Sequence, residues 1–498
     1  MSDRQVKIGI VLSYLLILSN TMFGFLVTPY MIGRLGESEY GVYKTISSLS
    51  SALMVLDFGI GSTVMRFVAK FRASEETDCI PNYIAMSLLQ ATAMSGLVLI
   101  IGVAVFFSIK PMYAATFSSV ELSEAQLLFC ILLFNMILHV FENVVNGIIT
   151  GSNRFIFGNG IKVIRLILRT AMIVCILTVY ASAIALALID LFITIVTTIA
   201  EYIYTTRTLK IKPRYSRWDR SLFLESGKYM LLMFLTSVAV QINNNLDNVI
   251  IGAISGPALV TVYSMGLLIF GMYESLSTSL SGVMLPTVTD LLERDEDGKK
   301  IQSLIVKVGR IQFLLLGAVA AGFACIGKHF INIWLGKGYE DVYIISLILM
   351  IPSLFELCVN VCLAILRAKN KLVFRTCTLC ISTLLNAVVT ILAVKYWSYI
   401  GAAVGTALSF IIGSVLVMNL FYYKKMHLPM IRIYGEIMRG ILPCLITSGA
   451  VLFVVSRYIV GGWLALAINI AIFCIVYGIL LMLFGLSTEE KRKVKICR

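Results

Sequence analysis

Residues 57–71 read DFGIGSTVMRFVAKF and close an apolar run that begins near Tyr43. The run has the composition of a helix in lipid, yet Asp57, Gly59, Gly61 and Arg66 fall within ten positions of it. A charge inside a hydrocarbon layer is costly and demands a partner, water or a task. At ~100° per residue, Asp57 and Arg66 project to opposite sides of a helix and stand ~13 Å apart along it, so they cannot neutralise each other. Arg66 lies one turn from Lys70. It reads either as an anchor snorkelling to the membrane surface or as the mouth of a cation-lined path. Asp57 sits near mid-membrane and requires a partner on another helix. The two glycines fit close helix approach better than a hinge.

The rest of the chain agrees with a helix in lipid. Of 498 residues, 59% are hydrophobic and only 14% charged, with a mean hydropathy of +0.92. Soluble domains carry about a quarter charged residues, and no core hides this much apolar surface. The composition is that of an all-α integral membrane protein. About fourteen apolar runs of roughly 20–30 residues, the first at 8–33 and the last at 462–485, are each long enough to cross a ~30 Å hydrocarbon layer. The first is too long for a signal-peptide core and is expected to be retained.

The net charge of +14 is distributed as a topology signal rather than as a nucleic-acid surface. Alternate loops hold RTLKIKPRYSRWDR (207–220), RAKNK (367–371), KKM (424–426) and the tail KRKVK (491–495). The intervening loops ESE (37–39), YAS (180–182) and SGPA (255–258) carry no basic residue. The excess of Lys and Arg on one side predicts a multi-pass protein with both termini in the cytoplasm.

Two echoes suggest an internal repeat. FENVVN (141–146) matches FELCVN (355–360), and YMIGRLGESEYGVY (30–43) resembles VIIGAISGPALVTVY (249–263). The matching pieces sit six runs apart, so the halves share one orientation about an axis along the membrane normal. The expected division is a six-helix bundle over 1–206, a basic cytoplasmic linker over 207–225, a second six-helix bundle over 226–424, and two final spans with a basic tail over 425–498. The linker end WDRSLFLESGKYM (218–230) reads either as an interfacial amphipathic helix or as a plain connector.

Further charges lie within the apolar runs. His139, Glu142, Asn143 and Asn146 share one helical face, and Lys162, Arg165 and Arg169 share another at i, i+3 and i+7. Arg169 is ~20 Å from the basic end, too deep to snorkel. Three cations on one stripe suit a water-filled cavity for an anionic substrate, because Arg forks match phosphate geometry. Structural salt bridging is the rival reading. Asp57, Glu142, Asp190, Asp247, Glu274 and Glu356 are acids within apolar runs, the usual sites of proton or Na⁺ coupling. No enzyme is indicated. GFACIGKH (322–329) has the P-loop spacing, but His329 replaces Ser or Thr and the stretch lies in an apolar run. The three histidines and eleven cysteines form no metal or nucleophile pattern, and no cofactor is expected.

The DFGIGSTVMRFVAKF stretch resembles the bacterial polysaccharide transporters, the O-antigen and exopolysaccharide flippases of the superfamily that also holds the multidrug and toxin extrusion transporters. Asp57, Gly59, Gly61, Arg66 and Lys70 carry the resemblance, with TPYMIGRLGESEYGVY (28–43), NNNLDNVIIG (243–252) and GSNRF (151–155). The resemblance implies two six-helix bundles in a pseudo-twofold V with a C-terminal helix pair. It also implies a flippase of undecaprenyl-diphosphate-linked oligosaccharide in the bacterial inner membrane. Glycan polymerases or glycosyltransferases would be its protein partners. Arg66, Lys162, Arg165 and Arg169 are then the candidate diphosphate and glycan contacts, and Asp57, Glu142, Asp247 and Glu356 the candidate coupling or gating acids. The alternative is a cation-coupled multidrug exporter of the same superfamily. The first run lacks the arginine found in related lipid II flippases, which argues against that narrower assignment.

Overall fold

The span that holds DFGIGSTVMRFVAKF is a broken helix. Helix α2 (Glu37–Leu53) passes into a tight turn at Met54–Asp57, and α3 starts at Ile60 and runs to Ala73. Between them Phe58 and Gly59 adopt left-handed backbone angles, φ 52° and 63°. A glycine accepts this conformation without the Cβ clash that opposes it elsewhere. The glycines thus do two jobs: Gly59 turns the chain, and Gly61 provides close approach to a neighbouring helix.

The computed structural model describes residues 3–282, 288, 299–368, 372–459, 461–486 and 490–491, and no strand occurs among them. The basic loop 367–371 and tail 491–495 lie largely outside the described residues. Each of the fourteen apolar runs corresponds to helix over its described part. Nine helices among the described residues are long and apolar enough to cross a membrane, and a bent pair makes a tenth. One of the nine, Val373–Met426, is 54 residues long and contains two runs. The runs at 8–33, 156–179 and 226–253 lie on α1 (Asp3–Leu35), α6 (Phe155–Val179) and α8 (Arg220–Ser255). The protein is a multi-pass, all-α membrane protein.

The chain divides into two units, Met1–Thr261 and Val262–Arg498. The first also contains α4 (Ile80–Tyr113), α5 (Ser119–Gly151) and α7 (Ala183–Ile203). Here α8 lies antiparallel along the broken span. Glu225 pairs with Lys70 at 3.2 Å, Tyr229 lies under Arg66, Phe234 stacks on Phe58, and Asn248 donates to Ser48. Residues Lys210–Asp219 form no helix; Asn82 holds them through the backbone of Ser216 and Arg217. Within 218–230 the structure has no free connector beyond Asp219: residues 220–230 are the first turns of α8, capped by Asp219, and Trp218 packs on Phe223.

In the second unit, α9 (Pro257–Gly282, begun in the first) is followed by α10 (Lys299–Trp334), α11 (Glu340–Cys358) and α12 (Val361–Ala368). GFACIGKH is continuous helix within α10, so it forms no phosphate-binding loop. Then α13 (Leu372–Ser409) folds back on itself at Ser398, bringing Gly401 against Ala393, Gly405 against Thr390 and Gly413 against Ser382. The chain continues through α14 (Met418–Met426) to α15 (Met430–Met438), α16 (Ile441–Val455) and α17 (Trp463–Leu480). Arg310 of α10 fastens this end of the chain. It holds Glu490 with two nitrogens, at 2.8 and 3.0 Å, and donates to the carbonyls of Glu436, Arg439 and Gly485.

Candidate functional site

Seven charged side chains of the first unit, Asp57, Glu142, Lys162, Arg165, Arg169, Asp190 and Glu201, gather between the broken span, α5, α6 and α7. Close approach of α3 to α5 begins the site. Gly147 and Gly151 lie one turn apart on α5, and a Cβ on either would come within 2.6–2.7 Å of the Gly61 or Met65 carbonyl. Small residues four apart allow such backbone contact between membrane helices. The contact brings Asn143 beside the break in span two. Asp57 accepts from the Gly59 amide at 2.7 Å with one oxygen and from the Asn143 amide at 2.9 Å with the other. The partner that Asp57 needs is therefore on α5, and its carboxylate also closes a local turn on the Gly59 amide just before α3.

The cation stripe on α6 meets a polar stripe on α7, formed by Asp190, Thr194, Thr197 and Glu201. Those spacings of four, three and four keep one helical face. Arg165 donates to Glu142 at 2.6 Å and to Thr194 at 2.8 Å. Thr197 donates to the same Glu142 oxygen at 3.3 Å, and His139 Nδ1 stands 3.5 Å from the other. Deeper in the membrane, Arg169 grips Asp190 with Nε and Nη2 at 2.5 and 3.1 Å. Tyr43 donates to Asp190 and accepts from Arg169, and Phe23 lies 5.7 Å from the guanidinium. Such paired forks satisfy a charge that hydrocarbon would otherwise penalise.

Lys162 is placed differently. It is exposed, forms no ion pair among the described residues, and lines a polar cavity of about 320 Å³ with Asp57, Ser62, Asn143, Asn146 and Thr150. Asn146 reaches from the cavity wall to Glu201, donating at 3.1 Å, while the second Glu201 oxygen is buried without a hydrogen bond. Arg66 is not among these wall residues; it is exposed, with its guanidinium 4.3 Å from the centre of the Tyr229 ring. Asp247 is buried on α8. Glu356, in the second unit, lines a small cavity of about 50 Å³ with Arg375, Asn360 and Thr378. Among the described residues no three His, Cys, Asp or Glu side chains come together to hold a metal ion.

Sequence reading missed Glu201 and the partnership of Asp190 with Arg169. The signal was available, since Asp190, Thr194, Thr197 and Glu201 carry the period of one face and mirror the cations on the preceding helix. The close-packing pair Gly147 and Gly151 was legible too, as small residues four apart.

The fold is that of known membrane transporters. It is similar to a lipid II flippase MurJ in an inward closed conformation, with a TM-score of 0.72 over 98% of this chain and 99% of that one, at 14% identity. It is also similar to an inward-facing multidrug resistance MATE family transporter of the MOP superfamily, with a TM-score of 0.63 over 84% and 95% and 16% identity. In sequence the chain is 21% identical to the Probable flippase AglR of Haloferax volcanii over 96% of its own length and 95% of that protein. Residues 34–344 match the family model described as polysaccharide biosynthesis protein. The chain belongs to that family.

Proposed function

We propose that the protein is a flippase that moves undecaprenyl-diphosphate-linked oligosaccharide from the inner to the outer leaflet of the cytoplasmic membrane by alternating access, for surface polysaccharide synthesis. It is a secondary transporter, not an enzyme, with its basic ends and both termini in the cytoplasm. The observation that carries this reading is the polar cavity of the first unit, in which Lys162 presents a cation that forms no ion pair among the described residues. A scaffold has no use for such a group in a membrane helix. Family membership and the named relatives support the same class of substrate.

In this mechanism Lys162 receives the diphosphate, with Arg66 nearer the basic end. Arg165 and Arg169 reach it only by exchanging Glu142 and Asp190 for phosphate oxygens. A released carboxylate then takes up a proton or Na⁺, which links substrate binding to an ion gradient. Asp57, Glu142, Asp247 and Glu356 are the proposed coupling or gating acids. Expression of an Arg66→Ala/Lys162→Ala variant in a strain lacking the gene tests the phosphate role. Loss of surface polysaccharide with normal protein abundance is expected, and wild-type polysaccharide would sink the assignment. Transport indifferent to collapse of both ion gradients would remove the coupling acids.

One observation favours a cation-coupled multidrug exporter instead. With Glu201 included, the first unit's network holds four carboxylates, Asp57, Glu142, Asp190 and Glu201, as many as its cations Lys44, Lys162, Arg165 and Arg169. Drug susceptibility of the deletion strain, with surface polysaccharide intact, would decide for that reading.

A further inference from the structure

The ion pairs occupy one face of the antiparallel helices α6 and α7; the adjoining face holds a groove of about 680 Å³. Its walls are apolar and include Ile164, Leu168 and Val196, all exposed. At the basic end, Phe157 and Tyr204 stack at 3.6 Å, and Arg154 borders the groove beside them. Arg154 is exposed and has no ion pair among the described residues. The floor is open because Gly160 has no side chain, and a Cβ there would meet nothing within 4 Å.

We infer that this groove binds one anionic phospholipid, with an acyl chain between α6 and α7 and its phosphate on Arg154. Length and charge fix the choice. From Phe157 to Leu168 the groove runs eleven residues, ~16 Å at the helical rise. One leaflet contributes half of a ~30 Å hydrocarbon layer, ~15 Å, so the groove matches a chain confined to the leaflet on the basic side. A guanidinium at the headgroup level recognises phosphate as a fork and favours a lipid with net negative charge. The bound chain clamps α6 to α7 behind the Arg165 and Arg169 pairs. Thr197, which borders the groove, donates to Glu142 and links the two faces.

Native mass spectrometry of the delipidated full chain, given equimolar dioleoylphosphatidylglycerol and dioleoylphosphatidylcholine, tests the site. The wild type should retain one phosphatidylglycerol with roughly tenfold preference, about 1.4 kcal/mol. Arg154→Ala should abolish the preference and Arg154→Lys should keep most of it. Gly160→Leu should lose the retained lipid of either kind, with an unchanged or higher melting temperature in lipid-free detergent. Ile164→Trp fills the groove from its wall should Gly160→Leu fail to fold. Equal retention of the two lipids by the wild type would overturn the proposal, as would phosphatidylglycerol retained by the filled variants. Displacement of phosphatidylglycerol by an equimolar polyprenyl diphosphate would give the groove to that lipid and overturn it as well.

Discussion

Glu142 of FENVVN and Glu356 of FELCVN occupy the same place in the two matching sequences, but the structure surrounds them differently. Glu142 meets Arg165, and the helices beside it carry Lys162, Arg169, Asp190 and Glu201. Glu356 shares its cavity with Arg375 near the start of α13, after which the helix presents Thr378, Ser382, Asn386 and Thr390 at four-residue spacing. Their hydroxyls pair without charge: Ser382 donates to the Ser409 carbonyl, and Thr390 and Thr406 donate to Asn386 Oδ1, although Asn386 Nδ2 is buried without a partner among the described residues. The residues after the motif differ as well. Gly147 and Gly151 let α5 touch α3, whereas the corresponding Val361 and Ile365 are buried in an apolar core. Both units keep the acid, but among the described residues the first surrounds it with ion pairs between membrane helices and the second does not.

The strongest way to break this contrast is to remove a deep cation from each unit. Arg169→Ala strands Asp190 in a low-dielectric site, and loss of one partner of a buried pair costs about 3–5 kcal/mol. Arg375→Ala should cost less, roughly 1–3 kcal/mol, because hydroxyl and amide groups line its cavity. Equal losses of thermal stability in purified protein would erase the difference between the units. The double variant Arg169→Met/Asp190→Leu sharpens the test: it should recover stability, since apolar replacement of a whole pair is often neutral, while transport stays lost.

A second test addresses the glycines. Gly147→Leu drives a side chain into the Gly61 carbonyl and Val64, so α3 must move away. Overpacking of this kind costs about 1–3 kcal/mol. Val361→Leu, at the matching position of the second unit, adds one methylene to a site already built for a side chain and should cost less. Denaturation of the two variants side by side decides it, and a larger loss for Val361→Leu would contradict the close-approach role of Gly147.

The helices were legible because lipid imposes a simple rule: a spanning segment must be apolar and must satisfy its own backbone. The break at Phe58 and Gly59 was less so, since glycine between apolar residues serves packing and bending alike. The candidate site was half legible. Lys162, Arg165 and Arg169 announced themselves by spacing, but spacing on one helix does not say what the next helix offers. Asp190 engages Arg169 and Thr194 engages Arg165, and only the antiparallel register of α6 and α7 brings them into place. Asp57 could be assigned a partner elsewhere, but Asn143 emerges only from the glycine contact between α3 and α5.

Asp57 gives a smaller effect that separates structure from coupling. Asp57→Ala removes the acceptor of the Gly59 and Asn143 amides and should cost about 1 kcal/mol. Asp57→Asn keeps an acceptor for the Gly59 amide and should cost less, yet it removes the charge. If the charge serves coupling, Asp57→Asn loses transport despite its stability. Equal transport by Asp57→Asn and the wild type would leave Asp57 a structural acceptor alone.

Lys162→Ala should change stability least, within about 0.5 kcal/mol, because the side chain is exposed and has no ion-pair partner among the described residues. It is the reverse of Arg169, whose removal damages the fold before transport can be read. Surface polysaccharide in a deletion strain should fall at least about tenfold with Lys162→Ala, the loss expected for about 1.4 kcal/mol of phosphate binding. Lys162→Arg should restore much of it, since either cation binds phosphate. A Lys162→Ala strain with normal polysaccharide would show that the unpaired cation of the polar cavity is not the feature that matters. The contrast between the units would then rest on paired arginines, which hold helices together, and the diphosphate contact would pass to Arg66.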